Sequence, residues 1–174
     1  MTWPNRYHLV TAIYVNARGF AFVVFEGPLA PIDWSIVEVR GSDKRERILG
    51  RIDALLGRYR PNVLVVQKMG QSGSDRSQRI RRLNEAIIAM AKRYSLSVAT
   101  ISRDEVRQQF AYLGSTTKET IAAAIAKHIP AFERFLPLPR KPWKSEDARM
   151  GMFDAAALAL TFFASATEMK WPDR

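Results

Sequence analysis

The chain opens on apolar runs of strand length and passes to helical spacing only after its first third. Leu9 to Val15 (Leu-Val-Thr-Ala-Ile-Tyr-Val) is a strand-length run, and Asn16-Ala17-Arg18-Gly19 supplies turn chemistry. Phe20 to Glu26 is a second apolar strand, so the short connection predicts an antiparallel hairpin. Gly27-Pro28 and Pro31 punctuate the next connection. Trp34 to Arg40 alternates Trp34, Ile36, Val37 and Val39 against Ser35, Glu38 and Arg40, which fits a half-buried third strand.

Helical periodicity then appears. Ser42 reads as an N-cap, and from Asp43 to Tyr59 the residues Ile48, Leu49, Ile52, Leu55, Leu56 and Tyr59 share one face. The charges between them, Lys44, Arg45, Arg47, Arg51 and Arg58, read as a solvated face. Pro61 to Gln67 is a short buried strand ending on a polar residue. It empties into a Gly/Ser loop (Gly70, Ser72, Gly73, Ser74) and a helix from about Asp75 to Tyr94. Ser97 to Ile101 is a fifth strand. Ser102 to Glu105 has capping-box spacing and opens a short helix to about Tyr112. Thr116 to Glu119 is a second capping box, ahead of an Ala-rich helix from Ile121 to Ile129.

Pro130 to Pro142 reads as an irregular loop within a Pro-rich stretch, 130–145, whose Phe132, Phe135, Leu136 and Leu138 should pack down. Ser145-Glu146-Asp147 resembles a helix start. Met150 to Ala166 is apolar nearly all round and therefore predicts a buried helix, and 167–174 reads as a frayed end. The order β-β-β-α-β-α-β-α-α-α predicts a single α/β domain over 1–174. Its mixed five-stranded sheet has three antiparallel strands first and helices on both faces.

Composition sharpens this picture. The 174 residues are 47% hydrophobic and carry a formal net charge of +10, which selects a folded protein with a polyanionic partner, nucleic acid before an anionic membrane. The absence of cysteine excludes disulfides and thiolate chemistry and suits a cytoplasmic location. No signal-peptide layout opens the chain, and the apolar runs are too short to span a bilayer. His8 and His128 stand alone, without a triad or zinc spacing, and Gly70-x-x-Gly73 lacks the ending of a phosphate loop.

Candidate chemistry collects at the end of the fourth strand. A buried strand running into a glycine loop and a basic helix builds a site at the carboxyl edge of a sheet. Arg76, Arg79, Arg81 and Arg82 crowd the first half of that helix, where cations oppose the macrodipole. A phosphate or an acidic partner accounts for that position; helix stability does not.

The order of elements resembles that of the ribonuclease H-like fold. The residues resemble the RuvC-type Holliday-junction resolvases over nearly the whole chain. Ala12-Ile13-Tyr14 followed by Arg18-Gly19-Phe20 resembles the family's first-strand signature, an Asp followed by a glycine turn and a second strand. Val65-Val66-Gln67 resembles its fourth strand, which ends in a catalytic Glu. Ser102 to Arg107 and Gly114 to Lys118 resemble its basic segment before the penultimate helix. Gly151 to Ala159 resembles its last helix, which carries two acids.

The resemblance implies four carboxylates around two Mg²⁺ ions that activate water for phosphodiester cleavage. Here the four positions hold Tyr14, Gln67, Gly151 and Asp154, so only the last acid remains. A neutral amide and a protonated phenol beside one carboxylate will not assemble a two-metal site. Asp147 and Glu26 are the candidate substitute ligands; Asp147 shares a face with Asp154 if the last helix starts that early. Asp154 could instead be a buried acid satisfied by Arg18, His128 or Lys118. The expectation is therefore a catalytically degenerate, RuvC-like protein that binds branched or double-stranded DNA, with no cofactor. Its nucleic-acid-binding residues are Arg76, Arg79, Arg81, Arg82, Arg103, Arg107 and Lys118. The resemblance further implies a homodimer with the Asp75–Tyr94 helix near its axis. Two alternatives stand beside this: an active Mg²⁺- or Mn²⁺-dependent structure-selective endonuclease on a relocated acid set, and a protein-interaction subunit that keeps the fold only. Tyr14 is expected to fill the volume of the metals, its hydroxyl bonded to Gln67 or Asp154.

Overall fold

The computed structural model describes residues 9–70 and 73–167. It contains strands β1 (Val10–Asn16), β2 (Gly19–Phe25), β3 (Pro31–Glu38), β4 (Val63–Gln67) and β5 (Ser97–Ile101). The α-helices are α1 (Lys44–Tyr59), α2 (Asp75–Arg93), α3 (Arg103–Ala111), α4 (Lys118–His128) and α5 (Met150–Thr167), with a 3-10 helix at Pro130–Phe135. The strands form one sheet in the order β3-β2-β1-β4-β5. β1, β2 and β3 pair antiparallel, while β4 and β5 join parallel, each reached through a helix. This is the mixed sheet that the sequence pattern predicts.

The β1–β2 turn is held by one side chain. Asn16 Oδ1 accepts from the backbone N–H of Arg18 at 2.9 Å and of Gly19 at 3.1 Å. A Cβ on Gly19 would stand 2.0 Å from the Val37 carbonyl oxygen, so any side chain there would push β3 off the hairpin.

Alternation along the strands divides the core in two. Val10, Ala12 and Tyr14 of β1 and Val65 of β4 face α3, α4 and α5. Ile13, Val15, Leu64 and Val66 face α1 and α2. Helix α5 is apolar all round because it lies between the sheet and α4, as its sequence predicts. Phe153 on it stacks edge-on with Phe132 at 6.2 Å, and Phe132 with Trp34 at 5.1 Å. The Pro-rich stretch is thus partly ordered: Phe132, Phe135 and Leu136 pack down. Leu138, at 86% exposed, does not, because the chain leaves the surface after the 3-10 turn.

Three helix starts differ from the sequence reading. Asp43, not Ser42, stands at the α1 N-cap, and no side chain caps there. The second capping box is shifted by one residue, pairing Thr117 with Thr120 in place of Thr116 with Glu119; this makes Lys118 the first residue of α4. Helix α5 begins at Met150 and not near Ser145. Asp147 Oδ1 accepts the Arg149 N–H at 2.9 Å, and this side-chain turn holds 147–149 out of the helix. His8, Ser72 and the tail from 168 lie outside the described residues.

Candidate functional site

Strands β1 and β4 deliver Tyr14 and Gln67 to the same face of the sheet, under α5. With Asp154 and Phe153 of α5, Arg103, Val106 and Arg107 of α3, and Thr117 and Lys118 of α4, they line a cleft of about 280 Å³. The backbone at Gln67 is anchored from behind, where buried Asn84 of α2 donates from its Nδ2 to the Gln67 main-chain carbonyl oxygen at 3.2 Å.

Lys118 is the centre of this cleft. Its ammonium donates to Glu146 Oε1 at 3.0 Å, Glu146 Oε2 at 3.4 Å and Asp154 Oδ2 at 3.2 Å. It lies 5.6 Å from the Tyr14 ring centroid, so its charge also bears on the phenol. Of the donors that the sequence offers for Asp154, Lys118 is therefore the one that binds it. His128 Nδ1 lies 2.9 Å from the Ala124 carbonyl within its own helix, and the Arg18 charge bears on Asp147. Tyr14 does line the Asp154 cleft, but its hydroxyl is hydrogen-bonded to neither Gln67 nor Asp154; the Lys118 ammonium stands by its ring instead.

The electrostatics are set by burial and by this lysine. Burial pushes the Asp154 carboxyl up to about 6; Lys118 pulls it back and Glu146 adds to the rise. Burial and the Asp154 charge raise the Tyr14 phenol, so it stays protonated at neutral pH. Burial works against the Lys118 charge, but Asp154, Tyr14 and Glu146 outweigh it and hold the ammonium above the usual lysine range.

Neither proposed substitute acid reaches Asp154. Glu26 comes directly after β2, which runs antiparallel to β1, so it stands at the opposite end of the sheet from Tyr14. Asp147 is turned onto Arg149, at 2.7 and 2.9 Å, and that guanidinium holds its carboxyl down to about 2. Glu146 comes close instead, because residues 145–149 are irregular and not helical. A Cβ on Gly151 would meet Asn16 Nδ2 at 3.3 Å and Ala21 Cβ at 3.4 Å, so α5 sits down on the hairpin at that point. Among the described residues no three acidic or histidine side chains are grouped to hold a metal ion. A protonated phenol, an amide and an ammonium bonded to the remaining carboxylates do not fit a two-Mg²⁺ centre.

The predicted basic residues divide between two places. Arg103, Arg107 and Lys118 line the cleft. Arg76, Arg79 and Arg82 lie on the other face of the sheet, in a groove of about 1100 Å³ between α1 and α2 beside the β1–β2 turn. Arg81 lines neither and is half-buried. Lys44 and Arg45 share that groove, over a floor of Ile48, Ile80 and Leu83, with Glu85 as its acid. Helical spacing alone assigns both to a solvated face. They crowd the start of α1 against its macrodipole, the same signal that singles out the arginines of α2.

Comparison with solved structures settles the architecture. Thermus thermophilus RuvC in complex with a Holliday junction substrate superposes with a TM-score of 0.66 at 20% identity, over 91% of this chain and 96% of that one. The fold is that of the RuvC-type resolvases. A second Thermus thermophilus RuvC structure gives a TM-score of 0.63 at 22% identity, over 90% and 95% of the two chains. The yeast mitochondrial Holliday junction resolvase shares the RuvC-type fold at 0.58 and 13% identity, over 92% and 80%. No family profile and no curated protein sequence matches the chain. Among the described residues no helix is long and apolar enough to cross a membrane.

Proposed function

We propose that this chain is a DNA-binding protein of RuvC-type fold that holds branched or double-stranded DNA without cleaving it. The observation that carries the reading is the Lys118 ammonium bonded to both Asp154 and Glu146, where a cleaving site of this architecture needs open carboxylates. Tyr14, Gln67 and Gly151 at the other acid positions support it. So does the net charge of +10, with basic residues on both faces of one sheet edge. The nucleic-acid contacts are Arg76, Arg79, Arg81, Arg82, Arg103 and Arg107, joined by Lys44 and Arg45, while Lys118 stays with its two carboxylates. The protein acts in the cytoplasm as a homodimer with α2 near the axis, by analogy with the resolvases it resembles.

Gel shift on a labelled four-way junction and on linear duplex, with and without Mn²⁺, tests this reading. A shifted but intact junction is expected. Metal-dependent nicking that Asp154→Asn abolishes overturns the non-cleaving reading and establishes the endonuclease. No shift of either DNA at low salt overturns DNA binding and leaves the protein-interaction subunit.

A further inference from the structure

Glu146 and Asp154 come from different segments, an irregular stretch and a helix, yet their oxygens converge on one point. Both side chains are less than half exposed, Asp154 at 15% and Glu146 at 42%, and Lys118 between them is at 24%. Two carboxylates drawn together in a partly dry cleft repel each other unless a cation stands between them. Gln67 lines the same cleft. Oxygen donors around a small volume are what a hard divalent cation takes. Here the volume holds a tethered ammonium.

We propose that Lys118 is the resident cation of this cleft: it occupies and closes an Asp154–Glu146 site that takes a divalent ion once the ammonium is removed. The inference deepens the non-cleaving reading of the cleft and rests on it. A side chain has two consequences that a free ion lacks. It cannot be chelated away, so the cleft keeps its shape in any metal concentration. It also carries a single charge with no open coordination position, so it activates no water. Glu146 lies outside the acid positions that the RuvC-type resemblance supplies, which makes the pair this chain's own arrangement.

Mn²⁺ is the probe, and its free electron paramagnetic resonance signal reads binding without any activity. In the full-length Lys118→Met protein we expect one saturable Mn²⁺ site, at least about tenfold tighter than any site in the unmodified protein. That site should vanish in Lys118→Met/Asp154→Asn and weaken in Lys118→Met/Glu146→Gln. A folded Lys118→Met protein that gains no site overturns the proposal. So does an unmodified protein that binds Mn²⁺ as tightly as the variant. Should Lys118→Met fail to fold, the unmodified protein decides the matter. Its amide resonances around Asp154 should stay sharp as millimolar Mn²⁺ is added, and selective broadening there overturns the lysine's role. Junction nicking by the unmodified protein, lost in Asp154→Asn, breaks the underlying non-cleaving reading. An inert unmodified protein alongside a metal-free, folded Lys118→Met breaks only the inference about the lysine.

Discussion

The two faces of the sheet carry their positive charge in opposite ways. Under α5, Lys118 is tied to Asp154 and Glu146, and Arg107 leans on Asp104 at 3.7 Å. Between α1 and α2, Lys44, Arg45, Arg76, Arg79 and Arg82 line one groove against Glu85. The first arrangement satisfies itself and contributes to the folded state. The second leaves charge for something outside. Attraction for a polyanion should therefore come chiefly from the α1/α2 groove, although the α5 cleft is where the resemblance to resolvases would look for it.

The strongest way to break this contrast is to remove the lysine. Lys118→Ala leaves two carboxylates without their cation in a half-buried cleft, and a loss of about 3–4 kcal/mol is expected in urea unfolding at neutral pH. Asp154→Asn in the same chain should restore part of it. A loss of about 0.5 kcal/mol or less, the size of an ordinary surface change, would place Lys118 with the exposed cations of the other face.

The same contrast predicts a pH profile. Asp154 has a folded value of about 6 against 3.8 for the free side chain, so the native state holds that proton more tightly than the unfolded chain. Its contribution is full below about pH 4 and is lost as pH rises through about 6, on the order of 2–3 kcal/mol. Asp147 works in the other direction: held down to about 2 by Arg149, it stabilises above pH 3.8 and loses this as pH falls through about 2. Stability measured by urea across pH should therefore rise from pH 2, pass a maximum near 4, and decline toward 6. Asp154→Asn flattens the upper limb and Arg149→Ala the lower.

Binding gives the next effect. Arg79→Ala with Arg82→Ala should weaken junction and duplex binding alike by about tenfold. It should also flatten the log–log salt slope by roughly 0.9 per lost phosphate contact. Fluorescence anisotropy at several salt concentrations measures both. An unchanged slope assigns these arginines to an acidic protein partner. The smallest effect sharpens the comparison: Arg103→Ala with Arg107→Ala should cost only about twofold to threefold, because that rim shares its charge with Asp104 and the acids below. Equal losses from the two pairs would mean that the cleft, too, has unpaired charge to offer.

Much of this was legible in the sequence, and the limits have physical causes. The resemblance maps Tyr14 and Gln67 onto acid positions of one cleft, and in the sheet Ile13, Val15, Leu64 and Val66 take the other face; the continuous apolar runs of β1 and β4 carry no alternation that would fix the register by itself. The apolar length of Met150 to Ala166 fixes α5 as the buried helix. Local signals fail where two of them compete. Ser145-Glu146-Asp147 has the residue types of a helix start, but the Asp147 side chain bonds Arg149 and holds the chain out of the helix, which frees Glu146 to reach Lys118. Both Thr116 and Thr117 can open a capping box, and a one-residue choice decides where Lys118 points. The separation of Arg103 and Arg107 from Arg79 and Arg82 depends on which side of the sheet each helix crosses, and spacing along the chain does not carry that.

The close seat of Gly151 against Asn16 and Ala21 couples the last helix to the hairpin turn. Without a side chain at 151, the last helix settles onto the hairpin, and Asn16 is free to tie the turn through Arg18 and Gly19. A side chain placed at 151 meets the Asn16 amide nitrogen at 3.3 Å, so that residue must give by a few tenths of an ångström. The turn between the first two strands and the seat of the last helix therefore answer to the same side chain, and a change at either one is felt at the other.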